Sequence, residues 1–262
     1  MRFLLMDMPV YTFEGREHAQ TESCLAAKLM KLTHLSSRHV KLLARLETNA
    51  VGLPRGHVLL TEGQPANELI ILKSGWVSSG KLLKDGGSSI AQIHHPGDVV
   101  GFENIAFSSV KNTCVAESDL IACKIRTSDL NEVFSESPRL AALITALGAI
   151  EHAIISDRVM ISRRNDGEMR VALFLLQTLS RLRLMNDTAQ NGFLCPLRQQ
   201  QIGDATGLTS VHVSRMLKRL EDSGFIRRSR QFIEITDEEG LSQMIDYVDR
   251  YQDLNLSWLP ED

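Results

Sequence analysis

The sequence contains few cysteines and few aromatic residues, and it has no uninterrupted apolar run long enough to cross a bilayer. The 4 cysteines among 262 residues are scattered, which excludes a disulfide-rich secreted scaffold and predicts free thiols. The longest such run, residues 171–176, is far shorter than the roughly 20 residues of a transmembrane helix. Residues 1–6 are too short for the core of a signal peptide and are followed by Asp7. We therefore expect a cytoplasmic protein with no membrane partner.

The chain also has little net charge, −3, which by itself does not favour a nucleic-acid partner. The charges are unevenly placed: residues 158–230 carry 13 Lys and Arg against 6 Asp and Glu, whereas residues 231–262 carry 1 against 9. Exposed charges farther apart than about 8–10 Å are largely screened at physiological salt. The basic region can therefore bind phosphates, and we expect the acidic tail to lie away from them.

The most informative pattern lies in residues 198–226. It predicts two short helices, 199–206 and 209–222, joined at Gly207 and Leu208. Glycine adopts positive φ at little steric cost, and Thr209 is placed to cap the second helix. This arrangement is typical of a helix-turn-helix. At 3.6-residue spacing, the second helix has one apolar face, made of Val213, Met216, Leu217 and Leu220.

An ordinary surface helix would show the same two faces, so the residues that follow are needed to decide. Gly224 is a typical residue just past a helix end, and residues 225–235 predict two short strands around a tip that carries arginine. A helix-turn-helix followed by a basic hairpin is a winged helix, whose tip is placed to meet phosphates.

Four short motifs in this region carry a specific resemblance: Ile202-Gly203, Gly207-Leu208-Thr209, Ser214-Arg215 and Ser223-Gly224. Their spacing is similar to that of the helix-turn-helix in the CRP/FNR superfamily of bacterial transcription regulators. The resemblance implies a sequence-specific DNA-binding regulator rather than an enzyme. It also implies a homodimer on an inverted repeat with half-sites about one helical turn apart, and leaves RNA polymerase open as a further partner.

The same resemblance suggests roles for individual residues. Arg215 matches the family's guanine-reading arginine, a contact worth ~1–3 kcal/mol when bidentate. Many relatives have a glutamate four residues earlier, where this chain has Val211, which can contact only a thymine methyl. With Ser210 and His212 beside it, base preference should differ from the TTGAT and TGTGA half-sites. The remaining predicted DNA contacts are Arg198, Gln200, Thr209, Ser214, Lys218, Arg219, Arg228 and Arg230.

Residues 53–124 consist of short β-rich runs separated by glycines, which predicts a small barrel or sandwich. Residues 53–77 and 94–107 resemble the β-roll sensor domain of the same superfamily, with residues 97–102 nearer to the FNR branch. In the cyclic-nucleotide branch a glutamate binds the ribose and an arginine binds the cyclic phosphate. Here Glu103 is offset by one position and Lys111 is no bidentate substitute, so we expect no cyclic AMP.

Metal cofactors are also not expected. The FNR branch is known for an iron–sulfur cluster, but only Cys24 and Cys123 fall near its ligand positions, and two thiolates cannot complete four ligands. Cys123 is better explained as a small core residue. His94 and His95 are adjacent on a strand and point to opposite faces, so they cannot chelate one ion. We expect them to be a surface or turn pair.

A long helix is predicted from Pro138, capped by Ser137, over about 26 residues or roughly 39 Å. An apolar repeat alternating by four and three predicts a dimer seam, with packing on the chain's own β-roll as the alternative. The charge of Asp157 in that seam should weaken or tune dimer formation. The predicted seam residues are Leu143, Leu147, Ile150, Ile154, Asp157 and Ile161.

The predicted fold class is α+β. An N-terminal arm (1–36) is followed by a β-roll or double-stranded β-helix (37–137), which begins with a helix capped by Ser37. The dimerisation helix (138–164) and a winged helix-turn-helix domain (165–236) come next. An acidic helix and tail (237–262), capped by Thr236 and Glu239, is expected to dock on its own domain or on the β-roll.

Two functional hypotheses stay open from the sequence. One is a regulator that binds DNA without a cofactor, similar to FixK-type members of the family. The other is a regulator whose β-roll binds a small molecule, such as a cyclic nucleotide, and thereby rotates the DNA-binding domains through the long helix.

Overall fold

The computed structural model describes residues 23–83, 87–164, 166–185, 190–252 and 254–261. Most of the predicted N-terminal arm lies outside these residues. So do Gly86, one of the glycines between the β-rich runs, and Asn165, the first residue of the predicted winged helix-turn-helix domain. Eight strands form the two antiparallel sheets of a β-roll, with strand orders β1-β8-β3-β6 and β2-β7-β4-β5. The strands are β1 Ala50–Leu53, β2 Val58–Leu60, β3 Glu68–Ser74, β4 Val77–Leu82, β5 Ser88–His94, β6 Val99–Val100, β7 Thr113–Ala116 and β8 Leu120–Arg126.

The alternation of side chains along β3 explains how the roll is covered. Ile70 and Leu72 point into the core between the two sheets, whereas Leu69 and Ile71 belong to a second core under the helices. Those helices are α1 Cys24–Met30, α2 Ser37–Leu46, α3 Asp129–Glu136 and the long α4 Pro138–Ser162. Strand β3 is therefore buried on both faces.

Two details near the N-terminus differ from the prediction. Residues 24–30 are a helix rather than part of an irregular arm, because Leu25, Ala26 and Leu29 are buried against the roll. The second helix is capped by Ser36, not Ser37: the Ser36 hydroxyl accepts a hydrogen bond from the His39 N–H at 3.4 Å.

Helix α4 is 25 residues long and begins as predicted, with the Ser137 hydroxyl accepting from the Leu140 N–H at 3.2 Å. It is apolar on all sides, and by length and composition alone it would also fit a bilayer. Buried core helices pass the same test, and one face of α4 packs against the chain. Its other face is exposed.

The C-terminal domain is built around α5 Gly167–Arg183, most of which is buried. Helices α6 Gln199–Thr206 and α7 Ser210–Asp222 pack on it, with a three-stranded sheet in the order β10-β11-β9. The three strands and the last helix are β9 Gly192–Leu194, β10 Ile226–Ser229, β11 Phe232–Ile235 and α8 Glu238–Ile245.

The chain after α8 returns to the β-roll. Helix α8 is capped by Asp237, which accepts from the Gly240 N–H at 2.8 Å, instead of the predicted pair of Thr236 and Glu239. It ends at Ile245, so the helical part of the predicted acidic helix and tail is short. Leu259 is buried in the core under α1 and α2, and the Pro260 carbonyl accepts from the Arg139 guanidinium at 2.7 Å. The C-terminal segment thus ties the two domains together.

Candidate nucleic-acid interface

The helix-turn-helix has the predicted bounds, and two local interactions explain them. Gly207 ends α6 with φ at 70°, a conformation that favours glycine. Thr209 precedes α7, and its hydroxyl accepts from the His212 N–H at 3.3 Å. Both predictions are confirmed.

The two faces of α7 are sharply different. Val213, Met216, Leu217 and Leu220 are at most 5% exposed and pack with α5 and the sheet. On the opposite face Val211 is 74% exposed. The other exposed side chains of α7 in the predicted contact set are His212, Ser214, Arg215, Lys218 and Arg219. An exposed, donor-rich helix face suits entry into a DNA groove.

The wing is the hairpin β10–β11, with Arg230 exposed at its tip and held at φ 55°. Arg228 lies farther back, where its guanidinium donates to the Glu221 carboxylate at 2.9 Å. Because Glu221 already binds Arg228, Arg230 is the better placed of the two wing arginines that were predicted to contact phosphates.

Two other predicted phosphate contacts also have acidic neighbours. Lys218 pairs with Asp222 at 2.7 Å, and the Gln200 amide donates to Asp204 at 2.9 Å. The ion pair of Lys218 and the hydrogen bond of Gln200 are both exposed, where such contacts contribute little, so phosphates can compete for these side chains. Arg198 immediately precedes α6, and Ser210 is the first residue of α7, so both lie next to the same surface.

The C-terminal domain is packed onto the side of the roll that carries β4 and β5. Ser88 donates to Asp204 of α6, and the Gln201 amide donates to Glu117 of the roll. Trp76 enters the core of the C-terminal domain, with its ring centroid 6.1 Å from that of Phe193. The exposed face of α7 lies outside these contacts.

A buried charge cluster joins four elements at this junction. Asp98 accepts from Lys28 of α1 at 2.5 Å and from Arg181 of α5 at 2.7 Å, and Arg181 also binds Glu151 of α4 at 2.7 Å. Burial alone would raise the pKa of Asp98, but Arg181 and Lys28 hold it well below its usual range. We call these four side chains the junction cluster.

The junction cluster was not predicted from the sequence. Lys28, Glu151 and Arg181 each stand as a charge within an apolar stretch of a helix, and buried charges of this kind need partners. That pattern was the signal in the sequence from which buried ion pairs could have been predicted. It could not show that the partners meet, because they come from helices far apart in the chain.

The prediction that His94 and His95 form a surface or turn pair is wrong, because both are 2% exposed. His94 bonds the Ser79 hydroxyl at 3.0 Å, and His95 packs edge-on against Trp76 with 4.5 Å between ring centroids. Burial lowers the pKa of both, and the charge of Arg181 lowers that of His95 further. They belong to the packing of the domain junction.

A cavity of about 380 Å³ lies between α4 and the roll. One wall is apolar, with Phe102 and Ile155 among its residues, and the other carries the four side chains of the junction cluster. Its cations are therefore already bound to Asp98 and Glu151. Lys111, the basic residue predicted to be a poor substitute for arginine, instead lies over the Phe107 ring at 4.6 Å.

The described thiols are buried or partly buried. Burial raises the pKa of Cys24 to about 11 and that of Cys114 to about 12. Across residues 23–261, apart from the gaps given above, no group of three or more His, Cys, Asp or Glu side chains is arranged to hold a metal ion.

The predicted seam residues lie on the face of α4 that the chain itself covers. Four of them are buried in the same chain, Leu147 and Asp157 are half-buried, and Asp157 is bound by Arg250 through two hydrogen bonds of 2.9 and 2.7 Å. The apolar members of that predicted seam, which pack into the chain's own cores or are partly buried against them, are Leu143, Leu147, Ile150, Ile154 and Ile161.

Comparison with known proteins agrees with this architecture. Residues 50–137 match the cyclic nucleotide-binding domain, and residues 169–244 match the Crp-like helix-turn-helix domain. FixK2 from Bradyrhizobium japonicum superposes with a TM-score of 0.66 at 26% identity, over 74% of this chain and 96% of that one. The two domains thus define a transcription regulator with a DNA-binding helix-turn-helix.

Two curated relatives support the same class. Electron transport regulator A of Shewanella oneidensis is 29% identical over 193 residues, 72% of this chain and 76% of its own length. The fumarate and nitrate reduction regulatory protein of Escherichia coli is 25% identical over 192 residues, 73% and 76% of the two lengths. The chain belongs to the CRP/FNR superfamily of bacterial transcription regulators.

Proposed function

We propose that the protein is a cytoplasmic regulator that binds an inverted repeat as a homodimer, without cyclic AMP and without an iron–sulfur cluster. The observation that carries this proposal is the exposed face of α7, where the apolar Val211 is followed by Arg215 and Lys218. Two such helices related by a two-fold axis would enter successive major grooves. RNA polymerase is a further partner that this function would involve.

The exposed face of α4 supports the homodimer. Ile155, Val159 and Met160 are 39%, 57% and 58% exposed, although α4 is apolar and its opposite face packs within the chain. Positions 145, 149, 152, 156 and 159 alternate by four and three, and two of them, Ala149 and Ser156, are small, which allows close approach of a second helix. We assign the dimer seam to this face, made of Thr145, Ala149, His152, Ile155, Ser156 and Val159.

The chemistry of the cavity supports independence from cyclic AMP. A cyclic phosphate needs a cation with donors to spare, and Arg181 and Lys28 are already neutralised by Asp98 and Glu151. Glu103 adds another carboxylate to the same lining. An anion entering there would have to displace a buried carboxylate, which is costly.

The size of the cavity favours a second function, a regulator gated by a small molecule. A volume of about 380 Å³ falls within the range of small-molecule sites, and the cavity touches α4 and the junction cluster. A ligand there would need an apolar body and few anionic groups. Titration with cyclic AMP tests only the cyclic-nucleotide form of this function. A screen of uncharged, apolar small molecules for a change in DNA affinity tests the form that the cavity favours, since only a gated protein would respond.

Replacing Arg215 by alanine should relax preference at one base pair per half-site. Loss of a bidentate guanine contact costs ~1–3 kcal/mol, so binding to the selected sequence should fall about 5- to 150-fold while binding to a variant base pair changes little. Competition binding against all four base pairs at each position measures this.

Lys218→Ala is the matched control, because Lys218 lies on the same exposed face of α7. Its loss should weaken binding to all DNA sequences about equally and reduce the salt dependence of binding. Equal loss across sequences for Arg215→Ala would contradict its role as a base-reading residue.

A further inference from the structure

We propose that α7 reads its half-site through hydrogen-bond donors and methyl contacts alone, and that His212 contributes a donor whose orientation is fixed by Thr209. The contacted bases should then be guanine and thymine. This inference rests on the proposed function, namely that α7 enters the major groove.

The Thr209 hydroxyl holds His212 at two points. It accepts from the His212 backbone N–H at 3.3 Å, and it lies 2.9 Å from Nδ1 of the same ring. The ring is therefore folded back against the start of α7 through Nδ1. Nε2 is the ring nitrogen left to meet DNA.

The position of the ring favours one protonation pattern. The start of a helix carries partial positive charge, so a lone pair on Nδ1 is preferred there over an N–H. The threonine O–H then donates to Nδ1, and the proton of the neutral ring sits on Nε2. A protonated imidazole would also carry a proton on Nε2, so both of these states offer DNA a donor.

The other exposed side chains at the start of α7 add no strong acceptor. Arg215 and Lys218 only donate, and Val211 offers methyl groups. Serine hydroxyls at positions 210 and 214 donate or accept equally well and do not discriminate. The first carboxylate on α7, Glu221, is bound by Arg228 at 2.9 Å.

This inventory restricts the bases that α7 can recognise. Cytosine N4 is an amino donor and needs a carboxylate or amide acceptor, which the first three turns of α7 lack. Adenine presents an acceptor at N7, but a donor bound there would leave the neighbouring N6 amino group without an acceptor, so adenine is disfavoured against guanine. Guanine presents acceptors at N7 and O6, and thymine presents O4 and a methyl group. His212 and Arg215 should therefore each face an acceptor, and Val211 a thymine methyl.

The test uses the selected inverted repeat with single atoms removed from its bases. Replacing each guanine by 7-deazaguanine removes the N7 acceptor, and replacing each thymine by uracil removes the methyl. We expect 7-deazaguanine at one position to weaken wild-type binding about three- to tenfold, as for one neutral hydrogen bond. That penalty should disappear in His212→Ala and persist in His212→Gln, whose amide keeps an outward donor.

Variants of two other residues on α7 separate the contact of His212 from those of Arg215 and Val211. A second 7-deazaguanine penalty should disappear only in Arg215→Ala, and the uracil penalty only in Val211→Ala. A long-range nitrogen–proton NMR correlation of the purified protein should show the His212 proton on Nε2. A neutral ring with its proton on Nδ1 and none on Nε2, or 7-deazaguanine penalties that His212→Ala leaves unchanged, would overturn the inference while the repeat is still selected. Failure to select any repeat would instead reject the proposed function.

Discussion

Replacing Asp98 by alanine is expected to lower the free energy of unfolding by about 3–5 kcal/mol, the usual cost of removing one partner from a buried ion pair. Lys28 and Arg181 would both lose their shared carboxylate, and their side chains are only 5% and 2% exposed. Urea unfolding at neutral pH, followed by circular dichroism, measures the change.

The control is an exposed ion pair in the same chain. Asp222 binds Lys218 at 2.7 Å with both side chains more than half exposed, so Asp222→Ala should leave the free energy of unfolding almost unchanged. A similarly small change for Asp98→Ala would show that the junction cluster does not hold the domains together.

The junction cluster makes the free energy of unfolding depend on pH. The pKa of Asp98 is held well below its ordinary value of 3.8, so the stability that Asp98 contributes is fully present above pH 3.8. The contribution is lost as pH falls through the depressed pKa, because protonation removes the charge that binds Lys28 and Arg181. The difference in stability between wild type and Asp98→Ala should therefore shrink as the pH is lowered below about 3.8. A constant difference would contradict this assignment.

Replacing Val159 by aspartate is expected to dissociate the dimer. The two-fold axis would bring two like charges together in an apolar seam, at a cost of several kcal/mol, so the dimer dissociation constant should rise about 100-fold or more. Affinity for an inverted repeat should fall with it, because binding of the second half-site would no longer be intramolecular. Sedimentation velocity over a concentration series measures the first effect.

Val248→Asp is the control for this variant. Val248 is 51% exposed, close to the 57% of Val159, but lies after α8 rather than on α4. It should leave the dimer dissociation constant unchanged. If Val159→Asp also leaves it unchanged, the seam is not on the exposed face of α4.

The parts of the structure predicted well depend on local chemistry. Gly207 and Thr209 determine where α6 ends and α7 begins through a positive φ and a cap, both of which act within a few residues. Ser137 and Pro138 begin α4 in the same way. The α+β fold class is confirmed, since short glycine-separated strands and helical periodicity are also local patterns.

The sequence could not show which face of α4 the chain itself covers. The helix is apolar on all sides, so a repeat of four and three can be drawn along either face. The choice is made by tertiary packing: Leu143 and Ile161 fit the chain's own cores, and Arg250, from the far end of the sequence, binds Asp157. No pattern within the helix carries that information.

The domain junction could not be predicted for the same reason. His95, Asp98 and Arg181 meet only because the C-terminal domain docks on the roll, and each is ordinary in its own segment. The predicted DNA contacts do lie together on α6, α7 and the wing. Their individual roles stay predictions until DNA binding is measured.

The most direct test of DNA binding without cyclic AMP is selection of random-sequence DNA by the purified, ligand-free protein, repeated with cyclic AMP. We predict enrichment of one inverted repeat without ligand, with half-sites about one helical turn apart and guanine and thymine at the contacted positions. Enrichment only in the presence of cyclic AMP would contradict it, and would show that the cavity beside Glu103 and Arg181 binds a cyclic phosphate after all.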